Sequence, residues 1–220
     1  MKNPDYQREN LKQAAFEMLL LCKNQLFKAT DAFVSNDTDL AEEVVHRENR
    51  VNALDLKIER DCERYLALYN PVATDLRYIM SLLKINYNLE RIGDHAFDIA
   101  YHTIDFVNPI NPELLEKVHY EKMVFTLESM YEDVVEAFEE EEPKIARKVF
   151  KKDKTLNKIN QKAKNILGEE IRNNKELTDD ALFIFAVLKK LERTGDLLKN
   201  ISEGIIFYLE AEVLTHKKKK

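Results

Sequence analysis

Glu90 and Asp94 stand four residues apart in the run Glu90-Arg91-Ile92-Gly93-Asp94. The run returns as Glu192-Arg193-Thr194-Gly195-Asp196, 102 residues later. On a helix, side chains at i and i+4 are neighbours about 5–6 Å apart, so one hard cation can bridge two such carboxylates. Without a cation, like charges at that spacing cost a helix about a few tenths of a kcal/mol. A local cost repeated at equivalent places marks a site. Each acidic row continues one turn further, to Asp98 in the first copy and to Asn200 in the second. A second helix of each unit offers a matching i, i+4 pair, Glu48 with Asn52 and Asp153 with Asn157. Donor sets made only of oxygen suit hard or borderline ions, namely Mg, Ca, Mn or Fe.

A competing constellation has different chemistry. Glu43 with His46, and Glu116 with His119, are two ExxH pairs of the kind found in di-iron carboxylate bundles. The internal repeat weighs against them. Glu43 and His46 correspond to Lys148 and Lys151, whereas Glu116 and His119 correspond to Leu11 and Ala14. A metal-free helical adaptor is the third reading. No Ser-His-Asp order, glycine-rich phosphate loop or CxxC pair is present, so the expectation is a protein that is not an enzyme.

The elements that must position these residues are helices. Only four Gly and five Pro occur in 220 residues, and charged residues reach 34%, a composition of long helices and not of sheets. Asn36-Asp37-Thr38-Asp39, Asn70-Pro71, Asn111-Pro112, Glu142-Pro143 and Thr178-Asp179-Asp180 divide the chain. They predict helices over 5–35, 39–68, 71–106, 112–141, 143–172 and 179–213. The duplication extends well beyond the acidic box. Ala32-Phe33 matches Ala137-Phe138, Val44 matches Val149, Glu48 meets Asp153 and Asn52 meets Asn157. The expected fold is all-α: two tandem three-helix bundles, over 1–108 and 109–216, with a basic tail at Lys217 to Lys220.

Leu82, Ile85, Leu89, Ile92, Ala96 and Ile99 form a bundle seam, as do Ile184, Val187, Leu191, Thr194, Leu198 and Ile201. The carboxylate rows lie off these seams and are expected on the outer side of the helix, together with Leu83, Tyr87, Phe97 and Tyr101. Gly93 and Gly195 interrupt strong helical patterns at a cost of ~1 kcal/mol relative to Ala. Either a close helix–helix approach or a ligand would account for them.

The net charge of −6 without a basic stripe gives no expectation of nucleic-acid binding. Cys22 and Cys62 fit no disulfide framework, which suits a reducing compartment. Met1 to Asn10 is too polar for a signal peptide, and Met18 to Cys22 is too short to span a bilayer. The expected location is cytoplasmic.

Asn70-Pro71-Val72-Ala73-Thr74-Asp75-Leu76-Arg77, followed by Leu89-Glu90-Arg91-Ile92-Gly93-Asp94-His95-Ala96, resembles the first-repeat signature of the PhoU family of phosphate-uptake regulators. Leu191 to Asp196, with Asn200-Ile201-Ser202-Glu203, resembles the second. The likeness covers essentially the whole chain. Asn70 stands where Gln is more usual, Thr194 replaces an Ile, and Leu197 occupies the place of His95. The resemblance implies a pseudo-twofold relation between the bundles and multinuclear clusters of iron or zinc. By transfer, the ligands are Glu48, Asn52, Glu90 and Asp94 in one half, and Asp153, Asn157, Glu192 and Asp196 in the other. Asp98 and Asn200 are further candidates. It also implies a negative regulator of phosphate uptake and starvation signalling. Such a protein would be an adaptor between the ATPase subunit of a phosphate ABC transporter and a sensor histidine kinase. It would form a homodimer and approach the membrane only through its partners.

Overall fold

The computed structural model describes residues 3–106 and 108–214; the basic tail, Lys217 to Lys220, lies outside them. Eight α-helical segments and no strand occur among the described residues. The first three are α1 (Pro4–Ser35), α2 (Thr38–Tyr69) and α3 (Ala73–Asp105). Five follow: α4 (Pro112–Lys117), α5 (Tyr120–Glu139), α6 (Pro143–Ala146), α7 (Val149–Asn173) and α8 (Thr178–Glu210). A 3₁₀ turn, Lys175–Leu177, joins the last two.

Four of the punctuation marks coincide with helix starts, Thr178 opening α8 without a side-chain cap and the other three supplying one. Asp37 caps α2 by accepting from the Leu40 N–H at 2.9 Å. Asn111 accepts from Glu113 and Leu114, with Pro112 in the first turn, and Glu142 accepts from Lys144 ahead of Pro143. Asn70 works the other way. It closes α2 in the left-handed region, at φ 45°, a conformation that Asn tolerates better than most residues. Helix α3 starts three residues later, with no side-chain cap at Val72.

The expected six rods are present, but two of them are broken. Between α4 and α5 His119 takes φ 57°. Leu114, Val118 and Tyr120 are all buried. In a continuous helix Val118 and Tyr120 would lie about 200° apart, on opposite faces. The turn at His119 brings both into the core. A second turn, at Arg147 and Lys148, separates α6 from α7.

Helices α1, α2 and α3 pack on one another, as do α5, α7 and α8, and the two units join along α3 and α8 with α1 touching α5. Every residue of both predicted seams is buried. The Tyr131 hydroxyl of α5 donates to the Leu19 carbonyl of α1 at 3.1 Å. Tyr78 and Tyr208 meet edge to face with centroids 5.2 Å apart. Cys22 and Cys62 are free and buried. Among the described residues, no helix is long and apolar enough to cross a membrane.

Candidate metal centre

The first carboxylate row faces outward only in part: Asp94 is exposed, whereas Glu90 and Asp98 are half-buried. Helix α3 packs on more than one side, and its acidic row borders α2. Gly93 sets that approach: a Cβ at this position would lie 2.8 Å from Val51 Cγ1 and 3.6 Å from Glu48 Oε2. Gly195 plays the same part against α7, where a Cβ would come closer still to Leu156 Cδ1. Close packing of two helices therefore accounts for both glycines, and it brings Glu48 against Glu90 and Asp94.

Glu48 is the most perturbed acid of this group. Both of its carboxylate oxygens are buried without a hydrogen-bond partner. Burial, then the charges of Asp94, Glu90 and Asp98, push its pKa up to about 7. Glu90 and Asp94 are raised too, each chiefly by burial and then by the next carboxylate in the row. Asn52, the neutral member of the α2 pair, is exposed.

Two residues escape a reading by i, i+4 pairs alone. Asp55 lies two turns beyond Glu48 on α2, adds its charge to Glu90, and takes the Asn86 amide at 2.6 Å. An i, i+7 search would have found it. Lys199, one turn after Asp196 on α8, is the other.

The second cluster is built differently. Asp153 is buried and accepts from Asn157 Nδ2 at 3.2 Å. Lys199 Nζ lies 2.9 Å from Asp196 Oδ1 and 3.7 Å from Asp153 Oδ2. Burial opposes the Lys199 charge, but the Asp196 hydrogen bond and Asp153 outweigh it and its pKa is raised. Glu192 receives Lys189 Nζ at 2.6 Å. Burial raises Asp153, Lys199 lowers it, and Asp196 and Glu192 raise it further; the net direction is up.

The third members of the rows make contacts between the bundles. Asp98 accepts from Lys190 of α8 at 2.5 Å, and Asn200 donates to Asn88 of α3 at 3.3 Å. His95 is buried, with Nδ1 3.0 Å from Thr194 Oγ1 across the same interface. Burial, with Lys190 and Arg91 nearby, lowers its pKa to about 4.

The ExxH residues do not converge. Glu43 is engaged by Lys28 at 2.8 Å and by Arg47 at 2.7 Å. His46 is exposed. Glu116 sits on α4, while His119 occupies the left-handed turn that ends it. Among the described residues, no three His, Cys, Asp or Glu side chains are gathered in a geometry that would hold one ion.

The first cluster nonetheless fits a cation in charge and donor type. It holds an orphaned carboxylate, Glu48, beside two further acids, Glu90 and Asp94; Arg91 and Lys190 offset Asp94 in part, but its net shift is still upward. Unpaired buried charge of this kind is costly unless a counter-ion or proton neutralises it. The second cluster fits less well, because lysines already stand on Asp153, Glu192 and Asp196.

Relatives share the whole architecture. The chain is 32% identical over 208 residues to the phosphate-specific transport system accessory protein PhoU homolog of Aquifex aeolicus (strain VF5), covering 94% of this chain and 93% of that protein. It is 30% identical over 204 residues to homolog 1 of Thermotoga maritima, covering 90% and 84%. The crystal structure of PhoU from Pseudomonas aeruginosa superposes with a TM-score of 0.86 at 27% identity, over 96% of this chain and all of that one. The PhoU domain model matches twice, at residues 16–103 and 120–205. With its duplicated acidic boxes and paired three-helix bundles, the chain belongs to the PhoU family.

Proposed function

We propose that this chain is an accessory protein of a phosphate-specific transport system, acting as a non-enzymatic negative regulator of phosphate uptake and starvation signalling. In this reading it is an adaptor on the cytoplasmic side. It contacts the ATPase subunit of a phosphate ABC transporter and a sensor histidine kinase, works as a homodimer, and meets the membrane only through these partners. Family membership and the names of the relatives support the transport role.

The observation that carries the metal part is Glu48, whose two buried oxygens lack partners beside Glu90 and Asp94. These three carboxylates, with Asn52 at the edge, would hold the ion. Iron or zinc is the first choice, and Mg, Mn or Ca also suits oxygen donors. A bound cation would cancel the repulsion within the row and present positive charge to an anionic partner. Asp94 is the exposed member of the three.

The test is affinity capture from native cells with elemental analysis of the same sample. The reading expects transporter and kinase peptides together with iron or zinc. Glu90→Ala with Asp94→Ala should lower bound metal while helical content is kept. Unchanged metal content in that variant would remove the role. Loss of iron on substituting His46 or His119 would favour the di-iron alternative, and a protein that purifies metal-free and gains no stability from divalent ions would favour a bare adaptor.

A further inference from the structure

The two acidic boxes are alike in sequence but not in surroundings. Lys199 of the second unit corresponds to Phe97 of the first, and Lys189 corresponds to Tyr87. In the second unit Lys199 stands between Asp196 and Asp153, at 2.9 and 3.7 Å, and Lys189 holds Glu192 at 2.6 Å. In the first unit these two positions carry rings. Phe97 stacks on Tyr101, with centroids 5.8 Å apart and planes 19° apart, and Tyr87 is exposed beside Arg91. Neither ring neutralises Glu48, Glu90 or Asp94; Lys190 bonds Asp98 at the end of this row and only partly offsets Asp94.

We propose that the clusters have diverged in how they are neutralised: lysines of the chain itself serve the second, and only the first takes a cation from solution. The inference rests on the metal reading of the first cluster. An ammonium on Asp196 and within reach of Asp153 occupies the space and the oxygen lone pairs that an ion would need. Displacing it would leave a part-buried lysine without its partners, a further penalty against metal entry. The remaining orphan of the second cluster, Asp153 Oδ1, belongs to a carboxylate already engaged by Asn157.

The experiment is equilibrium dialysis of the full chain against Zn²⁺, followed by elemental analysis, with circular dichroism as the folding control. Wild type and Asp153→Asn/Asp196→Asn should hold equal zinc, and Glu90→Gln/Asp94→Asn should hold about tenfold less. Lys189→Tyr/Lys199→Phe, which copies the first unit into the second, should about double the wild-type content. Should that variant fail to fold, Lys199→Met alone is expected to raise it. Zinc lost equally from the two halves, or a folded lysine variant with unchanged zinc, would overturn the asymmetry while leaving the metal reading intact. No zinc in wild type or in any variant would overturn the metal reading itself, and the asymmetry with it.

Discussion

Lys190 Nζ of α8 donates to Asp98 Oδ2 of α3 at 2.5 Å, and the internal symmetry turns this contact into another. Position 190 corresponds to 88 and position 98 to 200, where Asn200 donates to Asn88 at 3.3 Å. One geometric relation is therefore made once by an ion pair and once by an amide pair. It is the pseudo-twofold axis of the fold seen in side chains. Both groups of the ion pair keep some solvent exposure, so its net worth is on the order of 0.5–1 kcal/mol. Lys190→Met should lower the stability against urea by about that amount, and Asp98→Asn should lower it less, because it also relieves the repulsion on Glu48 and Asp94. A double-mutant cycle that shows no coupling would mean the contact is incidental.

Gly93→Ala tests the close approach of α2 and α3. In an exposed helix interior the change would stabilise by about 0.5–1 kcal/mol. Here the added methyl meets Val51 Cγ1 at 2.8 Å, and overpacking typically costs about 1–3 kcal/mol. The expected outcome is a lower Tm, with partial recovery on adding Val51→Ala. Gly195→Ala should behave alike, with Leu156→Ala as its compensating change. A raised Tm in Gly93→Ala would show that the glycine is there for something other than packing.

The apoprotein should lose stability as pH rises toward 7. Glu48 holds its proton up to about pH 7 in the folded chain, against an ordinary value of 4.5. Between those values the folded state binds more protons than the unfolded one, so stability falls with rising pH through that window. Glu90 and Asp94 act in the same direction. His95 opposes them lower down. Its pKa is about 4 in the fold against 6.5 ordinarily, so stability rises with pH between 4 and 6.5 on its account. Above pH 6.5 only the acids contribute. Thermal melts in chelator should therefore slope downward from pH 6.5 and level off once pH has passed about 7, and Glu48→Gln should flatten the slope.

Divalent ions should act on the same residue. Metal that binds only the folded chain stabilises it by about 2.7 kcal/mol at a hundredfold excess over Kd. Added zinc or iron should raise the Tm of wild type most at pH 7 and above, where Glu48 is deprotonated. In Glu48→Gln the gain should shrink, although the metal-free variant melts higher than metal-free wild type at pH 8. Equal gains in both proteins would remove Glu48 from the ligand set.

Helix content, six rods, the duplication and both bundle seams were all legible in the chain. Hydrophobic spacing and capping residues are local signals, and a repeat is visible without coordinates. The acidic pairs were legible for the same reason, since i, i+4 geometry needs only a helix. Glu48 and Asp153 were legible too, as partners offered by a neighbouring helix, but the burial of Glu48 and the lysines on the second cluster were not. A row beside one seam lies outward only if the helix packs on a single side, and α3 packs against α2 and α8 as well as α1. Thus tertiary structure decided that the Glu48 oxygens lie unpaired beside Glu90 and Asp94, that Gly93 and Gly195 are contact points, and that Asp98 and His95 bridge the two units. It also decided that Lys199 reaches Asp153 from another helix. Position along the chain determines which groups share a face, whereas burial, pairing and charge neutralisation depend on which other helix that face is pressed against.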